Sequence, residues 1–202
     1  MMHDNPRPSL DRTLKSAMSP HKPMFAEMFV AEDADPRTDV PTRADEKAML
    51  AAFLRWQRQT LMLKCADLDP QAMAQRSVPF SGLSLLGLVR HLADIERRWF
   101  RRDMAGHAVD PHFGTEDHPD AAFDDAASDA ETVAQAWRLW QEKIDFADRF
   151  VAEAANLEVT CTDPWRGTIT LRWVLVHLVE EYARHNGHAD FLRQGIDGAV
   201  GV

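Results

Sequence analysis

The sequence predicts an all-α four-helix bundle, on three observations. Four stretches of about twenty residues or more carry apolar side chains three and four positions apart, the period of an amphipathic helix. Each is bounded by a cap or a breaker: Thr42 and Asp69-Pro70, Ser84 and Gly106, Ser128 with Glu131, Thr170 and Gly195. The segments between them are rich in Pro, Asp and Gly, and one, from His107 to Ser128, is long enough for a crossover connection. The chain has 202 residues, which suits one domain with a real core.

Residues 1–39 mix Pro, Asp, His and Met without periodicity and read as an N-terminal arm, leaving 40–202 as the bundle domain. The first helix follows Thr42, where TRAD supplies a cap with an acid beyond it. It runs through EKAMLAAFLRWQRQTLMLKCADL, with Leu50, Phe53, Leu54, Leu61 and Leu68 on one face. RSVPFSG is a connecting loop. Ser84 caps the second helix, LLGLVRHLADIERRWFRRDMA. The Asp-, Pro- and His-rich run after Gly106 reads as a solvated loop. Ser128 and Glu131 form a capping box for the third helix, whose inner face carries Val133, Trp137, Trp140, Ile144, Ala147 and Val151. EVTCTDPWRGTITL can close as a short β-hairpin around Pro164-Trp165-Arg166-Gly167. Thr170 then caps the fourth helix, ending at Gly195.

Composition narrows the function. A net charge of -9 disfavours nucleic acid and anionic membrane surfaces, which would repel the chain. No segment is apolar for long enough to span a bilayer, and the N-terminus has no apolar export signal. Cys65 and Cys161 lack CxxC spacing, so reduced thiols in a cytoplasmic protein are expected, with Cys65 as inert packing. No Ser-His-Asp motif or phosphate-cradling Gly-rich loop is present.

The chemistry concentrates in HLVEEYARHNGHADFLR. His177, Glu181 and His185 are four residues apart and His188 lies seven beyond Glu181. At about 100° per residue they share one narrow arc with Val174, Leu178 and Leu192. A carboxylate beside a buried face must be paired or coordinated. Glu and His one turn apart can reach one metal ion together, and on the second helix His91 borders the apolar arc of Leu88, Leu92, Ile95 and Trp99. Spacing alone leaves two readings open. The histidines can be hydrogen-bonded core residues, with Glu180 and Glu181 paired to Arg184 along the helix. Alternatively, His91, Glu181 and His185 can hold a metal with open positions, the pattern of a catalytic site.

WQRQTLMLKCADL, LSLLGLVRHLADIERRWFRR and LRWVLVHLVEEYARHNGHADFLR resemble the DinB/YfiT-like metalloprotein superfamily, most closely its mini-circle protein branch, from about Glu46 to Gly198. The resemblance implies a DinB/YfiT-type four-helix bundle with a long crossover, usually a homodimer. It also implies a divalent metal held by one ligand from the second helix and two from the fourth, four residues apart. On this sequence those positions are His91, Glu181 and His185. Glu181 stands where many relatives have a third histidine; the mycothiol-dependent maleylpyruvate isomerase is similar to this chain in using His, Glu, His. Zinc is the expected metal, although such donors also tolerate nickel, iron or manganese. His188 falls where many relatives have Gln, which implies a catalytic pocket residue that orients thiol or substrate.

The implied activity is transfer of a low-molecular-weight thiol, such as mycothiol or bacillithiol, to an electrophilic small molecule. The isomerase's further C-terminal domain is lacking in a chain that stops at Val202, so maleylpyruvate isomerisation is not expected. Two other classes fit the same ligands: a non-catalytic metal- or small-ligand-binding stress protein, and a metal-dependent hydrolase. Arg97, Arg98, Arg101 and Arg102 form a basic patch whose plain reading is pairing with nearby acids. Arg98 is nonetheless the candidate to grip an anionic thiol cofactor, with Trp165 and Arg166 on the hairpin turn as a pocket rim.

Overall fold

The computed structural model describes Val30 and residues 35–201, so the arm expected over 1–39 lies largely outside the described residues. Helix α1 spans Glu46–Cys65. Its cap is Asp45, whose carboxylate accepts the Ala48 N–H at 2.9 Å, so the aspartate of TRAD, rather than Thr42, starts the helix. Leu54 and Leu61 enter the core, but Phe53 turns outward and is 43% exposed. Asp69-Pro70 does more than end α1. Pro70 takes the first position of a short helix α2, Pro70–Ala74, where its missing N–H costs nothing, and Asp69 caps Ala72.

Helix α3 runs Leu85–Glu96 from its cap Ser84 and continues as a π-helical segment, Arg97–Met104. The wider turn is not visible in the apolar spacing, which reads as one regular helix. The crossover expected as open loop contains a further short helix α4, Ala121–Asp124. Helix α5 spans Ala130–Glu153 and is capped by Asp129, one residue after the expected Ser128, through the Thr132 N–H at 2.9 Å. Strands β1, Thr160–Asp163, and β2, Gly167–Thr170, pair antiparallel with Thr160 opposite Thr170, as the hairpin reading requires. Helix α6 spans Leu171–Asp197, with Thr170 as its cap. It passes through Gly195, where an added Cβ would meet Ser77 at 2.9 Å, and stops at Gly198 with φ +80°. Close approach to Ser77, not helix termination, is the work of Gly195.

The bundle pairs α1 with α6 and α3 with α5, and α3 against α6 closes it. Leu61, Leu88, Leu92, Trp99, Trp140 and Leu178 are buried where these helices meet. Burying each such side chain contributes about 1.5–3 kcal/mol. Among the described residues, no helix is long and apolar enough to cross a membrane. The α3–α6 seam is the one that matters for chemistry, because it brings the second-helix and fourth-helix polar residues face to face.

Candidate metal centre

At that seam His91 of α3 meets Glu181 and His185 of α6. One ligand atom from each lies within 4.8 Å of the others. The imidazoles of His91 and His185 stand edge to face, 4.8 Å between centroids. Glu181 Oε2 lies 3.4 Å from His185 Nε2, and its Oε1 lies 3.6 Å from His177 Nε2. On its outer side His91 is backed by Phe123 of α4, 5.5 Å away. Gly87, one turn earlier on α3, leaves the room for that ring, since a Cβ there would meet Phe123 Cδ1 at 2.5 Å.

The electrostatics favour the ligating forms of His91 and Glu181. Burial pushes His91 down to about 4, and a positive charge on His185 would oppose its protonation further. The hydrogen bond from His185 holds the Glu181 carboxyl below its usual range against the opposing effect of burial, and the neighbouring histidines add to this. His188 is lowered first by burial and then by His185. A neutral imidazole offers a free lone pair and an ionised carboxylate a full charge, which is what divalent-metal coordination needs. This donor set fits such an ion.

A cavity of about 570 Å³ opens beside His91. Arg98, Arg102, Thr115, Glu116 and Trp165 help to line it. Trp165 is 87% exposed at the hairpin turn, whose shape Asp163 sets by accepting the N–H groups of Trp165 and Arg166 at 3.0 and 2.8 Å. Arg166 itself is not on the cavity wall; its guanidinium lies over the Trp173 ring at 5.2 Å. His188 stands beside the cluster, its Nδ1 3.4 Å from His185 Nδ1. His177 is packed rather than convergent, stacked on Trp173 at 4.8 Å with Trp99 at its edge.

The arginine patch pairs as its plain reading expects. Arg97 meets Asp94 at 3.2 Å, Arg101 meets Glu142 at 3.4 Å and Arg102 meets Asp103 at 2.7 Å. Arg98, on the cavity wall, has long carboxylate contacts, 3.4 Å to Asp163 and 3.6 Å to Asp103, lies 4.8 Å over the Trp99 ring, and its Nε makes no hydrogen bond. Cys65 ends α1, buried, and burial pushes its thiol up to about 12, the environment of a packing residue rather than of an activated nucleophile.

Sequence reasoning missed Asp94 and the crossover residues Pro111, Thr115 and Glu116, all of which line the cavity. The one available signal was an acid at the third position after His91, on the same helix face. The crossover itself carries no helical period that could have pointed to it.

A family model describing Mycothiol-S-transferase matches residues 49–198. No curated protein and no solved structure matches the chain. The matched span runs from within the first turn of α1 to the end of α6, and so includes nearly all of the bundle, the crossover and every residue of the candidate metal centre. The chain therefore belongs to the Mycothiol-S-transferase family, a DinB/YfiT-like family.

Proposed function

We propose that the protein transfers a low-molecular-weight thiol, of the mycothiol or bacillithiol type, to an electrophilic small molecule at a divalent metal held by His91, Glu181 and His185. The observation that carries this reading is the convergence of three donor atoms within 4.8 Å at the edge of an arginine-lined cavity. Zinc is the metal of choice for two imidazoles and one carboxylate with positions left open. When bound, such an ion lowers the pKa of a thiol so that thiolate is available near neutral pH.

The chain's own residues supply the rest. Burial keeps the His91 imidazole neutral and able to ligate. His188 sits within reach of the centre and orients the thiol or accepts its proton. Arg98 receives an anionic group of the thiol cofactor, and Trp165 provides an apolar rim for it. Arg166 holds the turn that presents Trp165, through Asp163.

Metal analysis and adduct mass spectrometry test the reading. The full chain, loaded with zinc, is incubated with mycothiol and a generic electrophile. A thiol-dependent adduct is expected, and Glu181→Ala should lose both bound metal and at least about 90% of adduct formation, since outright loss of one of three ligands exceeds the 10- to 100-fold cost of losing a ligand's supporting partner. Saturable binding without turnover would instead mark a non-catalytic binding protein. Product formed without thiol would mark a hydrolase, and a metal-free protein with full activity would reject the centre itself.

A further inference from the structure

The crossover between α3 and α5 is clamped along successive turns of α3 and the start of its π-helical continuation. Phe123 fills the space over Gly87 and His91. Arg90 donates to the carbonyls of Ala121 at 3.0 Å and Asp125 at 2.9 Å, and lies 4.3 Å from the centre of the Phe113 ring. Asp94 accepts three consecutive backbone N–H groups, from His112 at 2.8 Å, Phe113 at 2.9 Å and Gly114 at 3.2 Å. Arg97 donates to the Val109 carbonyl at 2.8 Å and to Asp94 at 3.2 Å.

A surface loop ordinarily leaves its N–H groups to water. Here one carboxylate, its side chain 14% exposed, gathers three of them in charge-assisted bonds. Of the three residues held this way, Gly114 lines the same cavity as His91 and Arg98. Its neighbours Pro111, Thr115 and Glu116 line it as well, and so does Asp94 itself. The clamp therefore sets the distance between the crossover and the metal ligand on α3.

We infer that Asp94 is a positioning residue that fixes the crossover segment as a wall of the cavity, and that the tightness with which the cavity holds its ligand depends on this clamp. The wall rests on geometry alone; only the identity of the ligand rests on the transferase reading above. Two of the three N–H groups are accepted by Asp94 Oδ2 and one by Oδ1, so an amide in its place turns a donor toward at least one of them.

The test uses the metal-loaded full chain and its Asp94→Asn variant, with amide hydrogen exchange, metal content and steady-state kinetics with mycothiol as readouts. Protection at His112, Phe113 and Gly114 should be lost and metal content kept. KM for mycothiol or for the electrophile should rise about tenfold while kcat changes less than about threefold. Gly114→Ala is the second variant. Its Cβ would meet the Pro119 carbonyl at 3.0 Å, so it displaces the same wall while leaving the Asp94 carboxylate in place and should raise KM in the same direction. Unchanged protection, loss of metal, or a released wall with unchanged KM would each overturn the proposal. A wild type that protects these amides yet neither binds nor transfers mycothiol would sink the transferase reading, and exchange in Asp94→Asn would then decide the role of Asp94 by itself.

Discussion

His91 shows how one residue's environment becomes a measurable pH dependence. Burial depresses its folded-state pKa from 6.5 to about 4. The folded chain therefore resists a proton that the unfolded chain accepts. The associated stability is fully present above about 6.5 and is lost as pH falls from there toward about 4. A shift of this size corresponds to on the order of 3 kcal/mol at most. Urea melts of the chelator-stripped protein at pH 7 and pH 4.5 should show a larger acid loss for wild type than for His91→Gln, whose amide does not titrate. Equal losses would mean that other groups carry the acid sensitivity. The candidate ligands were legible in the sequence because a four-residue period puts His177, Glu181 and His185 on one arc. Spacing alone could not separate His177 from His185, because both satisfy that period; the family resemblance pointed to His185, and the structure stacks the His177 ring on Trp173.

At the scale of elements, α3 carries more than its apolar stripe. Gly87 exists for Phe123: a Cβ there would lie 2.5 Å from Phe123 Cδ1 and 3.2 Å from its Cα. The second contact is backbone, so a side-chain rotation cannot relieve it. Gly87→Ala should lower stability by about 1–3 kcal/mol, the range for overpacking, despite alanine's better helix propensity. Thermal melts check the sign, and a variant as stable as wild type would show that α4 moves aside freely. The four long helices and the hairpin could be read in advance because each buries a face whose period is local. Their exact ends could not. Asp45 and Asp129 cap where Thr42 and Ser128 were equally good candidates, and α6 runs on past Gly195 because that glycine packs on Ser77. The π-helical turn at Arg97–Met104 and the helix α4 were hidden for the same reason, since neither changes the local apolar spacing enough to be seen.

At the scale of the whole molecule, the four long helices share one buried polar hub. Arg58 of α1 forms a bidentate pair with Glu96 of α3, at 2.7 and 2.8 Å, and its third nitrogen meets Asp148 of α5 at 2.7 Å. Tyr182 of α6 donates to Glu96 at 3.0 Å and accepts from Trp140 of α5 at 2.9 Å. Burial alone would lower the Arg58 pKa, but the Glu96 carboxylate raises it above the ordinary value, so the guanidinium stays charged inside the core. Tyr182 follows Glu181 directly, and the hub therefore also fixes the rotation of α6 that aims Glu181 and His185 at His91. No local pattern announces such a hub, because each helix contributes one or two members. Breaking it from one side should be costly: Glu96→Ala strands a buried guanidinium and should lose about 3–5 kcal/mol. Tyr182→Phe leaves the Trp140 N–H without its acceptor and should lose about 1–3 kcal/mol. The double variant Arg58→Met, Glu96→Met removes both charges together and should be more stable than Glu96→Ala alone, because desolvation of the pair offsets most of its attraction. Urea midpoints of the three variants decide the matter. If the double variant proves the least stable, the pair is a net source of stability, and its role is not confined to holding four helices in one register.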